Sequence, residues 1–226
     1  MTMITTKLAA LLSFGLLPLT TPTSIADDRV ALQLDRAQSH VVGITRKSGI
    51  FGFLGHEHAV LAPQWTARFV LDPVRPSKST AEITIAAEAL EIDSARARQL
   101  AEIEGGAPDA DDIVTVQKKM LGPDVLDAAK HPTIRFRSTA VDSKEKNKLE
   151  LKGTVTIHGV ARETTISVTV EPGPDETLKL AGTLPIRLTD HGIDPPSTAG
   201  VGVKNEMEIR FSFRTRPTTA VALNAE

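Results

Sequence analysis

The chain has 226 residues, 41% of them hydrophobic and 24% charged, which is the composition of a globular protein and argues against disorder. Lys and Arg number 26 against 28 Asp and Glu, a net charge of −2 with no basic excess for nucleic acid. The absence of cysteine excludes disulfides, thiolate metal sites, Fe–S clusters and Cys nucleophiles together, and with no tyrosine and one tryptophan the chain lacks a base-stacking platform.

In chain order, residues 1–26 come first. Lys7 precedes an apolar run over 8–19, and Ser24-Ile25-Ala26 places small residues at the −3 and −1 positions of a cleavage site after Ala26. This pattern predicts a secretory signal and a periplasmic or secreted product. The run is too short for a comfortable membrane span, which needs roughly 20 residues. Lys7 is the only charge in the segment, so cleavage moves the net charge from −2 to −3.

Residues 27–216 read as one domain. Strands are expected at 30–34, 40–46, 65–71 and 80–92, then around Ile134 and Phe136, across Leu149, Leu151, Val155 and Ile157, at Ile166, Val168 and Val170, and over 178–188. The last strand is the clearest: Met207, Ile209, Phe211 and Phe213 alternate with polar residues, so a period of two sets them on one face. A hairpin connection is expected at 159–162. Residues 95–106 read as a charged, mobile stretch. Residues 107–127 read as a short amphipathic helical insertion, in which Asp109, Asp111 and Asp112 precede a stripe of Ile113, Val116 and Met120, with Gly122-Pro123 as its end. Residues 217–226 read as a frayed tail. Eight or nine short strands with one polar face predict an all-β antiparallel barrel or sandwich.

Three segments carry a resemblance. Leu34-Asp35-Arg36-Ala37-Gln38-Ser39-His40-Val41 resembles an opening D-P-A-x-S-x-V. Met120-Leu121-Gly122-Pro123-Asp124-Val125-Leu126-Asp127, followed by His131-Pro132-Thr133-Ile134-Arg135-Phe136-Arg137-Ser138, resembles a D…[YFH]-P-T-I-x-F-x-S strand. Gly153-Thr154-Val155-Thr156-Ile157-His158-Gly159-Val160 resembles a G-x-L-T-I-x-G-V hairpin. Together they resemble the YceI-like family of lipocalin-like proteins, also called polyisoprenoid-binding. The segment Gly55-His56-Glu57-His58 is similar to a Gly-His-x-His branch of it. The resemblance implies a single antiparallel eight-stranded barrel with a helical insertion. It also implies a bound isoprenoid lipid or quinone in an elongated apolar pocket. Read from the residues themselves, no group is assigned a catalytic role.

Candidate ligand-binding residues follow. Phe51, Phe53 and Leu54 lie in a glycine-spaced loop that suits a lid. Met120 and Leu121 flank the insertion, and Ile134, Phe136, Phe211 and Phe213 point inward on their strands. His56 and His58, at i and i+2, project to one side of an extended segment. They can contact a lipid head group, or share a divalent metal whose third ligand comes from His40, His131, His158, His191 or Asp190. A polar loop is the plain alternative. The sequence holds no G-x-S-x-G, GxGxxG, Walker or H-E-x-x-H motif. Three functions stay open: a carrier for a long apolar amphiphile, a histidine-based metal- or haem-binding protein, and a structural or stress-related barrel without a fixed ligand. The expected partner is a hydrophobic small molecule. Nucleic acid and a membrane span after cleavage are not expected, and a homodimer is left open.

Overall fold

The structure, a computed structural model, describes residues 29–48, 56–72, 74–198 and 201–217. The proposed signal at 1–26 and the loop residues Phe51, Phe53 and Leu54 lie outside the described residues, as does the tail beyond Pro217.

The strands are β1 (Val30–Ser48), β2 (His58–Leu61), β3 (Trp65–Leu71), β4 (Thr80–Ala86), β5 (Glu91–Ile92), β6 (Thr133–Glu145), β7 (Lys148–Ile157), β8 (Val160–Pro172), β9 (Leu178–Arg187), β10 (Ser197–Thr198) and β11 (Val201–Pro217). Two helices interrupt them, α1 (Ala95–Ala101) and α2 (Ala110–Leu121). Neighbouring strands run antiparallel in the order β11-β9-β8-β7-β6-β4-β3-β1, and β1 pairs back onto β11, so these eight form a closed barrel. Strands β2, β5 and β10 extend the sheet beside it.

Closure runs through one long ladder, from Leu32 opposite Pro217 to Ser48 opposite Gly202. The expected strands 30–34 and 40–46 are thus a single strand with an irregularity between Asp35 and His40. The Asp35 carboxylate accepts the Ala37 and Gln38 backbone N–H groups at 3.1 and 3.2 Å. Ser39 Oγ donates to the Asp35 carbonyl at 2.6 Å and accepts the Arg214 N–H at 2.9 Å. The extra residues are therefore satisfied by local side chains, which lets the strand bend without orphaned backbone.

Alternation on β1 is used on both faces. Val41 belongs to the barrel core, whereas Val42 and Ile44 pack outward with Ala59 and Leu61 of β2 against Ala97 and Ala101 of α1. Helix α1 corrects the expectation of a mobile stretch at 95–106 over its first seven residues, Ala95–Ala101. Ser94 Oγ caps it by accepting the Ala97 N–H, and alanines at i and i+4 make a flat face that lets it lie close on the sheet. The expected strand over 80–92 also breaks, into β4, a 3-10 turn at Ala87–Ala89 and β5. The expected hairpin at 159–162 turns earlier, at His158 and Gly159, which take φ of 51° and 71°. Two positive φ values in a two-residue loop give the turn whose twist suits antiparallel strands.

The interior is floored by aromatic rings. Phe213, 1% exposed, meets Trp65 and Phe69 edge-on, each at 5.2 Å between centroids, and stacks on Phe211 at 5.7 Å. Arg36 caps the cluster, lying 4.8 Å from the Trp65 ring and donating to its carbonyl at 2.7 Å. Glycines make room for the rings: a Cβ at Gly182 would lie 2.6 Å from Phe211 Cζ, and one at Gly153 would lie 2.8 Å from Phe136 Cε2. Phe213→Ala is expected to cost about 3–5 kcal/mol, read as a lower urea midpoint with the slope retained.

Candidate functional site

The barrel is hollow. Its larger cavity, about 270 Å³, is lined by inward residues of β1, β2, β9 and β11, by Val116, Lys119 and Met120 of α2, and by Val125 and Leu126 after it. A second cavity of about 80 Å³ lies against the aromatic floor. Val41, Ile85, Ile134 and Ile209 wall both, so the two spaces adjoin along the barrel. Among the described residues, the polar side chains on the larger cavity are Thr45, His56, His58, Lys119, His191 and Ser197, and the remaining lining is aliphatic residues, Met, Gly and Pro. His56 and Lys119 line the cavity and are exposed, so it opens to the surface beside α2.

Helix α2 crosses this opening with no buried residue of its own. It is fastened by Gln117, whose Oε1 accepts the Ile92 N–H at 2.9 Å and whose Nε2 donates to the Leu90 carbonyl at 2.6 Å. One side-chain amide thus substitutes for a strand neighbour on β5 and sets Val116 and Met120 over the cavity.

His58 is held by a buried charged network. Its Nδ1 lies 2.6 Å from Asp93 Oδ2; the carboxylate can only accept, so Nδ1 carries the proton and Nε2 is left with its lone pair when the ring is neutral. Asp93, fully buried at its side chain, also accepts the Ala59 N–H at 3.0 Å and Arg98 Nη1 at 3.2 Å. Arg98 in turn donates to the carbonyls of Glu57 at 3.3 Å and Gly106 at 3.2 Å. Burial pushes the Asp93 carboxyl up, but hydrogen bonds from His58, the Ala59 amide and Arg98, with the charge on His58, outweigh it and hold the group below its ordinary value. His191, 2% exposed, is fixed likewise: its Nδ1 donates to the Val160 carbonyl at 3.0 Å. Thr45 stands opposite His58 in the β1–β2 register, and its buried Oγ1 has no partner among the described residues.

The structure distributes the sequence candidates as follows. His56, His58 and Met120 line the larger cavity, Ile134 lines both, and Phe136, Phe211 and Phe213 line the smaller one. Leu121 packs against the core and lines neither. His40 faces Ser212 on the β1–β11 ladder, and burial, then the charges of Arg96 and Lys179, lower its pKa. No third His, Asp or Glu of the described residues converges with both His56 and His58. Sequence reasoning missed Thr45, Lys119 and His191 as lining, and it missed the Asp93–Arg98 support.

The model of the YceI-like domain matches residues 32–215, all but the outermost two residues at each end of the closed barrel. The chain belongs to the YceI-like family. Among curated relatives, a UPF0312 protein of Vibrio cholerae is 33% identical over 81 residues, 34% of this chain and 43% of that protein. The match thus spans under half the length of the curated relatives. Among solved structures, Burkholderia cenocepacia BcnA superposes with a TM-score of 0.63 at 21% identity, covering 80% of this chain and 99% of that one. A polyisoprenoid binding domain from Saccharophagus degradans, implicated in plant cell wall breakdown, has a TM-score of 0.51 at 10% identity, covering 84% and 99%. These two share the fold. In this YceI-like chain the resembling segments have structural jobs: Asp35 and Ser39 shape the β1 irregularity, and Ser138 Oγ accepts the Ala81 N–H at 2.9 Å to join β4 and β6.

Asp93→Asn leaves the buried Arg98 without its counter-charge and is expected to cost about 3–5 kcal/mol at neutral pH. Because folding lowers the Asp93 pKa, the carboxylate stabilises fully above its unfolded value of about 3.9 and loses that effect as pH falls through the folded one. The gap between parent and variant should therefore shrink below about pH 4, as read by urea unfolding across pH.

Proposed function

We propose that this protein is a carrier for a long, isoprenoid-like amphiphile, held with its chain inside the barrel and its polar head at the opening. The observation that carries this reading is an apolar hollow with its polar groups few and reaching the surface at His56 and Lys119. Each buried CH₂ contributes about 0.8 kcal/mol. About ten of them give roughly 8 kcal/mol, a micromolar affinity before ordering costs are subtracted. A polar head at the mouth meets the Lys119 ammonium and the Nε2 atoms of His58 and His191. The name of the Saccharophagus degradans domain, polyisoprenoid binding, supports the same ligand class. The site is read as a binding site and not a catalytic one, and a hydrophobic small molecule is its partner.

Export to the periplasm or beyond is part of the proposal and rests on the signal-type pattern of residues 1–26. The intact mass of protein recovered after export should correspond to residues 27–226. That same protein, purified from its own host, should carry a lipid in native mass spectrometry that the denatured spectrum lacks. Val116→Arg tests the site without endangering the fold, since α2 has no buried residue. It should lower retention of the lipid or of a fluorescent prenyl probe at least about tenfold, because a charge entering an apolar cavity costs several kcal/mol. A parent protein with no lipid and no probe uptake sinks the proposal.

A further inference from the structure

Outside both cavities, three potential ligands converge where α2 leads into β6. Asp127, His131 and His158 each present one donor atom, all within 4.8 Å of one another, and all three residues are half-buried. They come from two separate places: Asp127 and His131 from the segment between α2 and β6, and His158 from the tip of the β7–β8 hairpin. The His131 and His158 rings meet edge-on at 4.8 Å.

The surroundings orient these groups. His158 Nδ1 lies 3.3 Å from the His191 carbonyl, which can only accept, so Nδ1 carries the proton and Nε2 offers its lone pair. A backbone carbonyl on the far nitrogen is the usual support of a metal-ligating histidine. His131 lies directly against Gly159, where a Cβ would sit 2.7 Å from its Cε1, so the absent side chain is what admits the ring. Asp127 is fixed by its own turn, with its N–H on the Gly122 carbonyl and its carbonyl accepting the His131 N–H, both at 2.8 Å. Its Oδ2 pairs with the exposed Lys130 at 2.8 Å, a cation standing beside the donors.

The geometry points to a divalent transition-metal site, of the zinc type, formed by Asp127, His131 and His158. Two imidazoles and one carboxylate suit zinc, copper(II) or nickel, whereas calcium and magnesium take oxygen ligands. Bonds of 2.0–2.1 Å in a tetrahedron set donors about 3.4 Å apart, so no pair need close by more than about 1.4 Å, within side-chain rotation. The ion would tie the segment carrying Val125 and Leu126 to the hairpin following Ile157, and all three of these residues line the larger cavity. It would brace one wall of that cavity from outside.

The test uses the protein as recovered after export, stripped with EDTA and titrated calorimetrically with zinc chloride. One zinc per chain is expected, with a melting temperature that rises with zinc. Loss of a supporting partner costs about 10–100-fold in metal affinity, so Asp127→Asn and His158→Gln should each weaken binding at least about tenfold and abolish the zinc-dependent rise. Lys130→Ala removes the competing cation and should tighten binding about two- to fivefold, an effect that a purely structural role for Asp127 would not produce. Equal urea midpoints in EDTA for parent and variants show that folding is retained. If either ligand variant fails this check, the other and Lys130→Ala decide. The inference is overturned if zinc does not bind, if Asp127→Asn binds it like the parent, or if binding is lost only on changing His56 and His58.

Discussion

The pairing of β1 with β11 is the constraint on which the molecule depends. A hollow sheet gains little from its own centre, because cavity-lining residues forgo part of the dispersion energy that close packing supplies. Closure compensates by leaving neither β1 nor β11 with an open edge and by pairing backbone groups all the way round. The aromatic floor then sits where the ladder is least regular: Phe213 lies opposite the β1 irregularity, between Arg214 paired with Asp35 and Ser212 paired with His40. Asp35 and Ser39 satisfy that irregularity, so the family-like opening segment and the packed end of the barrel form one unit.

From this closed frame the opposite end is built from parts that lie outside the closing ladder. Helix α2 reaches the opening fastened by the Gln117 amide, and His58 is held by an aspartate that is itself held by an arginine. Polar groups are thus arranged in depth at the mouth and thin out along the interior. That gradient matches a ligand with one wet and one dry end, whose dry end gains free energy with each buried methylene. The same end brings together the helix-to-β6 segment and the β7–β8 hairpin, which places Asp127, His131 and His158 beside the cavity without entering it.

Much of the barrel was legible because its strands alternate. Met207, Ile209, Phe211 and Phe213 read as one face, and all four line a cavity. Helix α1 was illegible by hydrophobicity, since its buried face is Ala97, Ala101 and the charged Arg98; the Ser94 cap and the alanine spacing were the available signals. The i, i+2 spacing indicated that His56 and His58 share a side, and both line the larger cavity. Their support was out of reach, because Asp93 is 35 residues from His58 and its value lies in burial. Whether the interior is hollow was equally invisible: alternation marks which residues point inward and is silent on how far apart opposite walls stand.

The closing ladder also fixes an order of events. Leu32 pairs with Pro217, so the first strand of the barrel waits for the last. A chain emerging from its N-terminus can form the β6–β7 and β7–β8 hairpins early, because their partners are near in sequence. It cannot shut the barrel until nearly all of it has emerged. Until then β1, though it can pair with β2 and β3, leaves the edge that β11 will cover and the inward Val41 open to whatever else is near. Completion therefore requires the two ends of the domain, roughly 160 residues apart in sequence at the Ile44–Glu208 pair and farther at Leu32–Pro217, to find each other.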